Sequence, residues 1–86
     1  MSHRHRHRPE ADRRLSRIAG HVEAIRRMIR EDRDCPELLV QLGAVRAAIE
    51  QVGLVVLKDH LAACLPAGRK AKTLRELSVA LDRFVK

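Results

Sequence analysis

Leu15, Ile18, Val22, Ile25 and Ile29 recur at alternating spacings of three and four. That rhythm keeps one stripe of a helix apolar, so a first helix is expected from about residue 10 to about residue 31. The polar segment "EDRDCP" breaks it. A second helix is expected from near Pro36, since proline in a first turn gives up an N–H that has no partner there. Asp34 and Glu37 stand in a capping-box relation around that start. Leu42, Val45, Ile49, Val52 and Val56 form one seam of this helix, while Leu39, Gly53, Leu57, His60 and Cys64 form a second stripe. A helix with two apolar stripes needs cover on two sides, as an oligomer supplies. Gly43 and Gly53 each cost about 1 kcal/mol against alanine in a helix interior, which close approach of another helix offsets. "LPAG" stops the helix after Cys64, and Leu74, Leu77, Leu81 and Phe84 mark a short third one. No period-two alternation and no internal repeat occur. The expected fold is all-α, with three helices: long, longer and short.

Composition narrows this picture. The 86 residues bound one small domain, 45% of them are hydrophobic and only Phe84 is aromatic, so Leu, Ile, Val and Ala must fill the core. Such a thin core favours added partner surface. No run of 18 apolar residues exists, so no membrane span is expected. The opening "MSHRHRHRPE" lacks the apolar core of a secretory signal, so a cytoplasmic protein with reduced thiols is expected. Residues 1–9 read as a flexible His/Arg-rich tail and residues 10–86 as a single domain.

The chemistry lies in two cysteines and five histidines. His60 and Cys64 are one helical turn apart in "KDHLAAC", on one face. Cys35 sits at the other end of the same expected helix, and at 1.5 Å per residue it lies roughly 37 Å from His60. A metal holds its ligands at about 2.0–2.3 Å, so Cys35 cannot join His60 and Cys64 of its own chain. It can join those of an antiparallel partner. Two thiolates and one imidazole suit trigonal Cu(I), or Zn(II) with a fourth ligand. A nitrogen from His3, His5, His7 or the terminal amine would make the set S2N2, planar for Ni(II) or tetrahedral for Zn(II). Against this, Cys64 has a second, weaker reading as a small buried residue, and "HRHRHR" one as an electrostatic arm. His21 reads as a polar contact beside Val22. No oxyanion device or third orienting group accompanies the Cys/His pair, so an enzyme is not expected.

A net charge of +7 favours an anionic partner. Up to residue 30, nine arginines face only Glu10, Asp12 and Glu23. Arg13, Arg14 and Arg17 form a basic patch at the start of the first helix, and Arg46 stands among small residues in "AVRAA". A solvated charged face is the plain alternative. Without Tyr or Trp to stack on bases, double-stranded DNA held through phosphates is expected and RNA is not. The helices are too long for a helix-turn-helix.

"RLSRIAGHVEAIRRMIREDRDC" followed by "QLGAVRAAIEQVGLVVLKDHLAAC" closely resembles the CsoR/RcnR-type family of metal-sensing repressors. The resemblance covers about residues 13 to 86 and is most specific at Cys35, His60 and Cys64. It implies a three-helix protomer, an antiparallel four-helix-bundle dimer and a disc-like tetramer. It implies a repressor that binds GC-rich operator DNA when apo and releases it on binding an inducer. Cys35 of one protomer with His60 and Cys64 of another resembles the copper-sensor ligand set, and His3 matches an extra ligand of the nickel and cobalt sensors. Arg14, Arg17 and Arg46 match basic positions used on DNA, and Glu76 resembles an acid that hydrogen-bonds the ligating histidine. Asp34 departs from the tyrosine that copper sensors carry there. The expected function is a cytoplasmic, homotetrameric repressor responsive to Ni(II) or Cu(I). Metal storage or delivery through the same site, and helical DNA packing with inert cysteines, are the alternatives.

Overall fold

The structure, a computed structural model, describes residues 8–64 and 70–85. They form α1 (Pro9–Arg30), α2 (Cys35–Cys64) and α3 (Lys70–Val85), with no strand among the described residues. The all-α expectation of three helices holds. α3 reaches four residues further back than Leu74, through the strong helix formers of "KAK". The expected tail, apart from Arg8 and Pro9, and the "LPAG" stop lie outside the described residues.

The chain divides into two compact units, His7–Val56 and a second that includes Leu57–Lys86. In the first, α1 packs against the first two-thirds of α2. Ala11, Ile25, Val45 and Val52 are its buried core, with Ile18, Leu38 and Ala48 half-buried beside them. The expected seam of α1 therefore splits. Ile18 and Ile25, seven residues apart, turn towards the hairpin core, while Leu15, Val22 and Ile29 stay exposed. The contrast runs from 4% exposure at Ile25 to 57% at Ile29. α2 divides in the same way, with Val45 and Val52 inward and Leu42 and Ile49 exposed. Within one chain α2 is thus covered on one side, and Leu39 of its second stripe is open. The space beside Gly20 and Gly43 is open too, so among the described residues no neighbouring helix offsets the cost of glycine there.

In the second unit Leu57, His60 and Leu61 at the end of α2 are half-buried. On α3, Leu77 is half-buried while Leu74, Leu81 and Phe84 are exposed. By length and composition alone the 29-residue stretch Cys35–Ala63 would also cross a membrane. Arg46 and Glu50 stand near its middle, where hydrocarbon penalises a charge by about 3 kcal/mol or more, so protein contact accounts better for the exposed apolar positions.

The connection between α1 and α2 is set by hydrogen bonds. The N–H of Asp32 donates to the carbonyl of Ile29 at 3.0 Å and that of Arg33 to Met28 at 3.0 Å, the paired bonds of a Schellman turn. Asp32 takes the left-handed position at φ 60°, where glycine usually sits. The Asp34 carbonyl then accepts the first bond of α2 from Leu38 at 3.1 Å. The Glu37 carboxylate is engaged by Arg33, whose Nε donates at 3.2 Å and whose Nη2 also contacts it. That pairing, before a contact to Glu31, pushes the Arg33 guanidinium above its ordinary pKa. The turn thereby brings the chain into α2 at Cys35. Asp32→Gly is expected to stabilise the fold by up to about 1 kcal/mol, and Asp32→Val to destabilise it by about 1–2 kcal/mol, read as shifts of the urea midpoint.

Candidate functional site

Cys35 is the first residue of α2 and carries an exposed free thiol. Its position follows from the Schellman turn, which ends α1 and restarts the chain two residues later. His60 stands one turn before the end of α2 and is half-buried, and Cys64 is the last residue of that helix. Glu76 is exposed on α3. Among the described residues, no three His, Cys, Asp or Glu side chains of the single chain gather as a metal site. His3, His5 and His7 lie outside the described residues. Where the residues gather chemically is the donor type: a reduced, accessible sulfur at one end of α2, and an imidazole and a second cysteine at the other.

The four arginines expected on DNA divide into two pairs. Arg13 and Arg17 are exposed, one turn apart on α1, and enter no ion pair among the described residues. Arg14 is tied to Glu10, its Nε donating at 3.1 Å and its Nη2 lying 3.1 Å from the same carboxylate. Arg46 reaches Glu50 at 3.9 Å, the outer limit of an ion pair. Positive charge is dense along α1. The Glu23 carboxyl is held below its ordinary pKa, first by a hydrogen bond from Arg26, at 2.8 Å, and by its charge, then by the charges of Arg30 and Arg27.

His21, expected to be a polar contact, is one: its Nε2 lies 2.7 Å from Oε1 of Gln41, in a part-buried link between α1 and α2. Gln41 had no signal in the sequence, since the two residues are 20 positions apart. Glu10 and Glu50, by contrast, are legible as i,i+4 partners of Arg14 and Arg46.

These features meet in comparisons with known proteins. Residues 7–83 match the model of a family described as metal-sensitive transcriptional repressor. The copper-sensing transcriptional repressor CsoR of Bacillus subtilis is 38% identical over 77 residues, covering 85% of this chain and 76% of the relative. The transcriptional repressor RcnR of Salmonella arizonae is 32% identical across the full length of both chains, over 90 aligned residues. Among solved structures, the nickel-responsive transcriptional regulator InrS is similar at a TM-score of 0.77 and 39% identity, covering 98% of this chain and 99% of that one.

The His21–Gln41 link is the part of this region open to a direct stability measurement. Gln41→Leu is expected to destabilise the fold by about 1–2 kcal/mol, because it leaves the half-buried imidazole without its partner. Urea unfolding followed by circular dichroism reads this.

Proposed function

The chain belongs to the CsoR/RcnR family of metal-sensitive transcriptional repressors, which are not enzymes, and from that premise we propose a cytoplasmic repressor that holds double-stranded operator DNA when apo and releases it when Ni(II) or Cu(I) binds between subunits. One observation carries the shared site: Cys35 opens α2, and His60 and Cys64 close it. At about 100° per residue the three positions fall on one stripe of the helix. An antiparallel second α2 would bring Cys35 of one chain level with His60 and Cys64 of the other. The assembly we infer is a four-helix-bundle dimer that pairs into a tetramer, and the exposed seam positions Leu15, Val22, Ile29, Leu42 and Ile49 support it.

The donor set fits a thiophilic metal. Cys35, His60 and Cys64 would hold Cu(I) or Zn(II), and His3 (or His5 or His7) would complete an S2N2 set for Ni(II). Glu76 would orient the His60 imidazole. Relatives named for copper and for nickel are similar to this chain to nearly the same degree, 38% and 39%, so the fourth donor decides between the two metals. On DNA, Arg13 and Arg17 would supply charge that no carboxylate among the described residues neutralises, while Arg14 and Arg46 must first exchange a glutamate for a phosphate. Release is a matter of linkage: an arrangement of the α2 pair that suits the donors but not the arginines weakens DNA binding by the same factor with which DNA weakens metal binding.

Cys35→Ala and the double variant His60→Ala/Cys64→Ala are each expected to lose tight binding of Cu(I) and Ni(II) under anaerobic titration. Mixed and reannealed, they are expected to recover one site per mixed dimer, because one chain then supplies the thiol and the other the remaining donors. No recovery would sink the shared site. Deleting residues 1–8 is expected to abolish the Ni(II) response and spare Cu(I). On a duplex selected by the apo protein from genomic fragments, Arg17→Ala is expected to lower the salt dependence of binding by about one unit of log–log slope, read by fluorescence anisotropy. A storage protein would show the metal binding with no salt-dependent DNA binding.

A further inference from the structure

The outer face of α2 within the first unit is mostly apolar. Leu39, Leu42, Ile49 and Leu54 are exposed there, and among the described residues nothing lies within 4 Å of a Cβ built on Gly43. Arg46 and Glu50 stand among them with 83% and 59% of their side chains exposed and 3.9 Å between Nε and Oε2. A pair held so loosely in its own helix contributes little to that helix. Covering the same face with another protein would strand both charges unless the partner answered them.

The next step rests on the shared-site reading given above. If Cys35 is level with a point between the partner's His60 and the partner's Cys64, the two α2 helices are antiparallel and their two-fold axis passes beside Ala48 and Ile49. A two-fold interface is self-complementary, so a contact from one chain is repeated by the other. In this register Arg46 is offset from the partner's Glu50 by one residue, about 1.5 Å along the axis, against about 6 Å from its own Glu50. The two positions are about 40° apart around the helix, and the two-fold axis keeps them on the same side of the contact line.

We propose that Arg46 of each chain pairs with the partner's Glu50, and that the resulting four-charge cluster across the two-fold axis sets the antiparallel register in which Cys35 is presented to the other subunit. A second copy of this chain is therefore the occupant of the outer face of α2, and its charges are complementary to that face. The cluster also gives Arg46 two competing anions, the partner's Glu50 and a DNA phosphate. For that reason assembly is to be measured without DNA.

Two full-length variants separate pairing between chains from pairing within a helix. Arg46→Glu leaves only acids at the cluster and Glu50→Arg only bases, so neither variant can form the pair within its helix or in its own homodimer. Mixed, each chain's charges are answered only by the other chain. With one variant mass-labelled, the mixture is reannealed without metal, DNA or detergent and weighed by native mass spectrometry. Mixed dimers are expected to exceed the statistical share by about fivefold, expressed as the ratio to homodimers. A statistical mixture of two variants that are each helical by circular dichroism overturns the cluster, as does a wild-type chain recovered only with lipid vesicles. Should a reversal fail to fold, Arg46→Gln and Glu50→Gln replace the pair, with an excess of about twofold expected. Cys35, His60 and Cys64 are intact in every variant. A statistical mixture alongside recovered metal binding in the cysteine complementation therefore removes the cluster and keeps the shared site, while preferential mixing without that recovery keeps the cluster and removes the shared site.

Discussion

Two helices packed side by side can each bury only one stripe against the other. In the hairpin of α1 and α2 that stripe is Ala11, Ile18 and Ile25 against Val45 and Val52. The neighbouring stripe, Leu15, Val22 and Ile29 with Leu42 and Ile49, is just as apolar and is left uncovered. Fully burying a side chain of this kind is favourable by about 1.5–3 kcal/mol, so five half-open ones amount to several kcal/mol of unused driving force. For a chain with one aromatic residue and, among the described residues, no fully buried large side chain, that is comparable to the stability of a small domain. A bundle of two hairpins is the simplest structure that would cover both stripes.

The positions of Cys35, His60 and Cys64 at opposite ends of α2 would turn this packing constraint into chemistry. A helix of 30 residues keeps Cys35 away from His60 and Cys64 for as long as it stays straight. The proposed antiparallel pairing would bring the ends together. In the proposed assembly the same helix would serve as core, as interface and as spacer between donors. The Schellman turn before it matters for a related reason. Its bonds to Ile29 and Met28 fix where α2 begins, and a start one residue later would rotate Cys35 by about 100° out of the stripe it shares with His60. His21 and Gln41 add a polar link at one height of the hairpin, and a specific hydrogen bond limits sliding in a way that apolar contacts do not.

Much of this was legible in the sequence because it depends on local periodicity. The three and four spacing placed α1 and α2 to within a residue or so, and the helix rise showed that Cys35 and His60 belong to different ends. The pattern could not say which members of a seam face inward. Ile25 and Ile29 are chemically identical and four apart, yet one is buried and the other open. That difference comes from the direction of α2, which is tertiary information. The His21–Gln41 link is hidden for the same reason, since it joins residues on different helices. The expected capping box at Asp34 and Glu37 shows a third limit. Arg33, a turn before Glu37, offers its carboxylate a charge-assisted partner that a motif of two positions does not include.

The state of the arginines bears most directly on how such a protein would be switched. A phosphate contact adds affinity by releasing counterions, and an arginine already neutralised by a carboxylate of its own protein brings less of that gain. Arg13 and Arg17 stand ready, whereas Arg14 is held by Glu10 and Arg46 lies at the outer limit of an ion pair with Glu50. The ready pair would supply constant attraction to any duplex. The held pair would supply a contribution that depends on the arrangement of the helices, because moving α2 against a second copy changes which anion Arg46 meets first. Sensitivity to an inducer then needs no rearrangement of α1 at all. It needs only that the arrangement favoured by Cys35, His60 and Cys64 of adjacent chains differ from the one in which Arg46 is released to DNA.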